Sequence, residues 1–185
     1  MDKYFRMIPA KKLHSPKDKL LYLLPLEVIS HTERILSEYG RKKPPHEGLV
    51  YWGGKKEGER ITVSTLIAPK TVSDYGRVST SPRSNFDVVR LLNKHNCVQI
   101  AQVHSHPGTW VDHSLGDDDL AAFKVNGLVS IVVPRYCHRG MMPLSSCGIH
   151  RYTSGEFIRL SRDYIKIHFR IENSISPVLE DLRHE

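Results

Sequence analysis

Two histidines one residue apart, at a point where a buried-strand pattern gives way to a helical one, constrain this chain more than any other feature. Cys97–Val103 reads as a strand, Val103-His104-Ser105-His106-Pro107 closes it, and Asp117–Asn126 reads as a helix. Residues i and i+2 of a strand point to the same side, so His104 and His106 aim two imidazoles at one point while Ser105 turns away. Proline has no amide hydrogen for a ladder, so Pro107 ends the strand. Asp117 waits at the start of the following helix. Two imidazoles and one carboxylate form a three-ligand set that leaves the fourth tetrahedral position of Zn²⁺ open to water, the layout of a catalytic site.

A water on such an ion needs a base. Glu47 opens an earlier apolar strand, Glu47–Trp52, and is the candidate; Glu57 and Glu59 sit in a turn and are poorer ones. Ser114, three residues before Asp117, can cap the helix there. Asp118 and Asp119 fall in its first turn, where acids complement the helix dipole. His46 and His113 are read as surface or supporting histidines, Trp110 as loop packing or a channel wall, and Asp112 as solvated.

The remaining stretches supply a scaffold. Short strands are expected at Tyr4–Ile8 and Leu20–Leu24. Pro25 suits a first helical residue; Leu26, Ile29, Glu33, Leu36 and Tyr39 follow at helical spacing, and Gly40 closes the helix. Glu47–Trp52 and Arg60–Ala68 are strands joined by a turn over Gly53–Gly58. Residues 69–83 read as a long loop. Ser84 is expected to cap a helix to Lys94, with Phe86, Val89 and Leu92, or Val88 and Leu91, facing inward. The largely apolar, β-branched run Leu128–Val133 has the character of a covered central strand. Ser146–Tyr152 and Glu156–Leu160 form a hairpin about Ser154-Gly155. Tyr164–Ile171 alternates as a strand does, and the residues from Glu172 read as a loose tail.

Composition narrows the class. With 39% hydrophobic and 25% charged residues over 185 positions, the chain is globular and long enough for one well-cored domain. Three cysteines, none in a CxxC pair, suit a reducing cytosol better than a disulfide framework. Met1–Arg6 lacks the apolar core of a signal peptide, and the apolar run Leu20–Leu26 falls far short of the ~20 residues that span a bilayer. A cytoplasmic protein without a membrane segment is expected. The net charge of +7 favours nucleic acid or an acidic protein, but the basic residues are scattered.

These residues resemble the JAMM metalloproteases, also called the JAB or MPN+ family, whose pattern is an early Glu, then His-x-His-Pro, then Ser-x-x-Asp. Here it reads Glu47, His104-Ser105-His106-Pro107, and Ser114-Leu115-Gly116-Asp117. The resemblance covers roughly residues 20–160. It implies zinc held by His104, His106 and Asp117, a water oriented and deprotonated by Glu47, and an oxyanion stabilised by Ser114. It also implies cleavage after the C-terminus of ubiquitin or a ubiquitin-like protein, by deconjugation or precursor processing. Compact family members of this kind occur in bacteria beside E1- and E2-like proteins, some in antiphage operons. The expected fold is α/β: a single domain over residues 1–185 with a mixed, curved sheet flanked by helices. Its core covers about 20–160, with a C-terminal extension over 161–185. A Gly-terminated tail has few side-chain handles, so it is expected to add as a strand along Gly76–Ser81, touching Arg77, Val78 and Ser79. Two alternatives stay open. One is a RadC-like, DNA-associated protein, although such proteins continue His-Asn-His-Pro-Ser-Gly where this chain has His-Ser-His-Pro-Gly-Thr-Trp. The other is a non-catalytic MPN interaction module.

Overall fold

A computed structural model of the protein describes residues 13–184; the strand expected at Tyr4–Ile8 lies outside them. In chain order the described elements are β1 (Leu21–Leu24), α1 (Leu26–Gly40), β2 (Leu49–Glu57), β3 (Arg60–Ala68), β4 (Thr71–Asp74), β5 (Arg77–Thr80), α2 (Pro82–Lys94), β6 (Val98–Ser105), α3 (Leu115–Leu120), β7 (Val129–Val133), β8 (Gly148–Thr153), β9 (Glu156–Arg159), α4 (Arg162–His168), β10 (Phe169–Ile171) and β11 (Val178–Asp181). One mixed sheet runs β10-β1-β3-β2-β6-β7-β8-β9, with β11 also paired to β3, while β4 and β5 form a separate hairpin. The architecture is α/β, with the sheet curved into a half barrel and helices flanking it.

Side-chain alternation along β2 sets the two layers. Val50 and Trp52 join Val28, Ile29 and Leu36 of α1 in one core. Leu49 and Tyr51 join Val88, Leu91 and Leu92 of α2 in the other. Trp52 also donates its indole hydrogen to Thr32 Oγ1 of α1 at 2.9 Å, so the polar tip of the ring is satisfied inside the core. Of the expected turn at Gly53–Gly58, Gly53–Glu57 are instead the second half of β2, and the chain turns at Gly58 and Glu59. The register of β2 against β3 shifts at Gly53/Gly54 and against β6 at Trp52/Gly53, a bulge that bends the strand. Only glycine permits this approach, because a Cβ on Gly54 would lie 2.0 Å from Thr62 O.

The central placement of β7 follows from its sequence. All five of its residues are buried, between parallel β6 and antiparallel β8. α2 starts one turn earlier than expected: Ser81 is its cap, and Ser81 Oγ accepts from Ser84 N at 3.1 Å. Its inward face is Val88, Leu91 and Leu92, whereas Phe86 is 61% exposed.

The C-terminal part departs from expectation. Tyr164–Ile171 begins as helix α4, with Ser161 Oγ accepting from Tyr164 N at 3.1 Å. Tyr164 stacks on His168 one turn later at 4.0 Å between ring centroids, a pairing that helical spacing provides. Strand pairing starts only at Phe169, beside Tyr22 of β1. The residues after Glu172 are no loose tail either: β11 runs parallel to β3, and Leu182 is buried against the α2-facing core. α3 stops at Leu120 rather than running to Asn126. Beyond it Phe123 packs edge-on against Tyr51 at 5.8 Å, which draws the chain across the sheet.

Candidate active site

The end of β6 carries the site. Ser105 N donates to Gly48 O at 3.1 Å, and Ser105 Oγ accepts from Gly48 N at 3.0 Å. The residue between the two histidines therefore clamps the segment that bears Glu47. The strand stops at Ser105, yet His106 N still donates to Val133 O at 2.9 Å, so His106 keeps the strand's alternation and shares a side with His104. Their Nε2 atoms are 3.2 Å apart. Asp117 closes the triangle, with Oδ1 3.2 Å from His104 Nε2 and Oδ2 3.2 Å from His106 Nε2. Donors at ordinary tetrahedral zinc distances stand roughly 3.3 Å from one another. The three side chains thus have the spacing to hold a metal ion.

Their surroundings set the state each ligand needs. Trp110 O lies 3.2 Å from His106 Nδ1. A carbonyl only accepts, so the ring proton sits on Nδ1 and leaves Nε2 free to ligate. The Trp110 ring stacks on His106 at 5.3 Å and 14°, the packing role expected of it, and it also lines a cavity. Burial pushes the Asp117 carboxyl up, but the charge and hydrogen bonding of His104 and His106 outweigh it and hold the carboxyl well below its usual range. Burial pulls His104 down, against the opposing charge of Asp117. An ionised carboxylate is the form that binds metal, and a bound ion would take the place of the Nε2 protons that otherwise bond to Asp117.

Ser114 caps α3 reciprocally. Its N–H and its hydroxyl donate to Asp117 Oδ2 at 2.6 and 2.8 Å, and its Oγ accepts from Asp117 N at 3.1 Å. Its hydroxyl hydrogen is thus engaged by Asp117, and an oxyanion role requires it to rotate.

Glu47 is 2% exposed. Its N–H donates to Asp74 O at 2.9 Å. Burial first, then the charges of Asp117 and Asp74, push its carboxyl up to about 9. A nearby cation would oppose all three effects. Glu47 lines a cavity of about 270 Å³ together with Tyr75, His106, Pro107, Trp110 and Ser114. A far smaller cleft, about 30 Å³, lies on the other flank, between Val78, Ser79 and Thr80 of β5 and a wall that includes Tyr51, His104, Asp117 and Ala122.

The stretch 69–83, expected to be a loop, is mostly the β4–β5 hairpin. It brings Val78 and Ser79 to the small cleft. Arg77 is exposed and pairs with Asp74 at 3.6 Å. The hairpin tip is fixed by Tyr136, whose hydroxyl donates to Tyr75 O at 2.7 Å.

Two features of the site were not visible in the sequence, a left-handed turn and the burial of Asp112. Arg135, Tyr136 and Cys137 all have left-handed backbone, with φ of 57, 51 and 61°. Each such non-glycine residue costs roughly 1–2 kcal/mol, and no Gly, Asn or Asp marks the position. The turn buttresses the histidine loop, since Arg135 N donates to Gly108 O and Tyr136 N to His106 O, both at 2.8 Å. Asp112 is 4% exposed rather than solvated, because Arg159 Nη1 lies 2.8 Å from its Oδ1. Of the two roles expected for His113, surface or supporting, its 1% exposure excludes the first. His46 is half-buried, its Nδ1 3.1 Å from Ser73 Oγ.

No known family's sequence profile matches the chain. It is 28% identical over 117 residues to Probable metalloprotease y4jG of Sinorhizobium fredii, a match covering 61% of this chain and 70% of that protein. Among solved structures, protein DSY2949 of Desulfitobacterium hafniense superposes with a TM-score of 0.61, over 84% of this chain and 95% of that one, at 17% identity. That likeness bears on the fold alone. Among the described residues, no helix is long and apolar enough to cross a membrane.

Proposed function

We propose that the chain is a zinc-dependent peptidase of the JAMM type that cleaves after the C-terminal residue of a ubiquitin-like protein. The observation that carries this reading is the 3.2 Å triangle of His104, His106 and Asp117, with buried Glu47 on the cavity beside it. The similarity to a protein named as a probable metalloprotease supports it. Zinc is favoured among metals because a donor set of two imidazoles and one carboxylate in tetrahedral spacing is typical of it.

Bound zinc would polarise the scissile carbonyl and lower the pKa of water from 15.7 to about 7. Glu47 takes a proton from the attacking water and passes it to the departing amine. Ser114 turns its hydroxyl toward the carbonyl oxygen as charge builds there, a contribution worth roughly 3 kcal/mol in comparable hydrolases. The two flanks support one polarity for the substrate. Glu47 delivers its proton on the side of the large cavity, so the amine leaves there. The acyl side then lies over the small cleft, whose narrowness favours a small terminal residue. An extended tail placed there can add main-chain hydrogen bonds along Val78 and Ser79 of β5, with Arg77 beside it for an acidic group.

Deconjugation from lysine and trimming of a precursor use the same chemistry, and both belong to the proposal. So do E1- and E2-like partners of the same conjugation system, a role in antiviral defence, and a cytoplasmic setting, which the free state of Cys97, Cys137 and Cys147 suits. The test is incubation of the purified chain with ubiquitin-like fusions ending in different residues. Cleavage after a small terminal residue, stopped by a chelator, is expected. Failure to cut any such fusion, together with processing of a nucleic acid, would overturn the proposal in favour of the DNA-associated alternative.

A further inference from the structure

Beneath the ligands runs a second polar array that the proposed chemistry does not use. Gln102 Nε2 donates to Ser130 Oγ at 3.1 Å. Ser130 Oγ stands 2.8 Å from His113 Nε2, and His113 Nδ1 stands 2.7 Å from Asp118 Oδ1. Ser130 has one hydroxyl hydrogen. With Gln102 donating to its oxygen, that hydrogen goes to Nε2, and the ring proton of His113 goes from Nδ1 to Asp118.

Asp–His–Ser in this order and at these distances is the arrangement of a serine hydrolase triad. Here it cannot act as one. Ser130 is 0% exposed, in the middle of β7, and no acyl group can reach its hydroxyl. His113 has both nitrogens engaged, so it is not a spare metal ligand either.

What the array does is mechanical. It joins the two central strands, through Gln102 and Ser130, to α3. That helix has six residues and ends at Leu120, too short to hold its shape without outside support. Asp118 is the residue next to the ligand Asp117, and His113 is the residue next to its cap, Ser114. The His113 ring also packs 5.9 Å from that of His104 and 4.7 Å from that of Phe157. We infer that His113 is a positioning residue for the metal site, pinning α3 to β7 through Asp118 and Ser130 so that Asp117 reaches both histidines.

This inference rests on the metal reading of His104, His106 and Asp117, and it is tested by metal affinity rather than by turnover. The full chain and its His113→Gln, Asp118→Ala and Asp118→Asn variants are titrated with Zn²⁺ against a chromophoric chelator. The visible spectra of the Co²⁺-loaded proteins are recorded alongside. Asp118→Ala and His113→Gln are expected to bind Zn²⁺ about 10–100-fold more weakly, with an altered Co²⁺ spectrum. Asp118→Asn keeps an oxygen for Nδ1–H to donate to, and is expected to restore both readouts. Should His113→Gln fail to fold, the half-exposed Asp118 pair decides. Wild-type affinity and spectrum in Asp118→Ala would overturn the positioning role alone, whereas a wild-type chain that binds no Zn²⁺ would overturn the metal reading and this inference with it.

Discussion

Replacing Glu47 by glutamine is expected to stabilise the metal-free protein while abolishing turnover, and the gain should depend on pH. Glu47 is 2% exposed, and its carboxyl is pushed from an ordinary 4.5 up to about 9, by burial first and then by Asp117 and Asp74. The folded value lies above the unfolded one, so the folded state binds the extra proton. Stability is therefore lost as pH rises from about 4.5 toward 9. At pH 7 the penalty is on the order of 3 kcal/mol, from 1.4 kcal/mol for each pH unit above the unfolded value. Glutamine has nearly the same shape and stays neutral throughout. Metal-free Glu47→Gln should exceed wild type by up to about 3 kcal/mol at pH 7, roughly 6–12 °C in Tm for a chain of this size. At pH 5 the difference should be under about 1 kcal/mol. Urea denaturation of both chelated proteins at the two pH values measures it. A difference that is absent at pH 7, or equal at both pH values, would refute the assignment of Glu47 as a buried carboxyl held against its charge. Zinc loading should shrink the gain, because a cation beside Glu47 favours the ionised form.

Other outcomes follow from the same geometry. Elemental analysis should find one zinc per wild-type chain and only traces in His104→Ala or Asp117→Ala; full occupancy in both variants would refute the ligand assignment. Backbone N–H groups along β5 alternate between β4 and the cleft, so one of Val78→Pro and Ser79→Pro removes a donor that faces the proposed tail. That variant should raise KM with zinc content unchanged, and unaltered kinetics in both would show that the tail runs elsewhere. Burial pushes the thiols of Cys137 and Cys147 up to about 12, so iodoacetamide should leave cleavage intact; inactivation would point to thiol chemistry instead.

The cluster of His104, His106 and Asp117 was legible because its residues obey local rules. His104 and His106 follow the period of a strand, Ser114 and Asp117 the offset of a helix cap, and Val129–Val133 the largely apolar, β-branched run of a covered strand. What was misread depended on distant partners. Tyr164–Ile171 alternates, yet the Ser161 cap and the Tyr164–His168 stack make its first part helical. β11 looks polar in isolation and becomes a strand because β3 offers it an edge, with Glu180 held by His95 at 2.6 Å. Asp112 looks like a solvated loop residue, and its burial comes with Arg159, which is far from it in the sequence. The left-handed turn at Arg135–Cys137 has no residue that announces it. The turn holds because Gly108 and His106 accept its amide hydrogens.

The most direct test is a metal titration of cleavage. Chelated protein is mixed with a ubiquitin-like fusion ending in glycine, and Zn²⁺ is added back in steps. Activity is expected to be absent at the start and to rise to a plateau at one equivalent per chain, with Glu47→Gln binding the same equivalent and remaining inactive. Cleavage by the fully chelated protein, or undiminished cleavage by zinc-loaded Glu47→Gln, would contradict the assignment of His104, His106, Asp117 and Glu47 to a single hydrolytic centre.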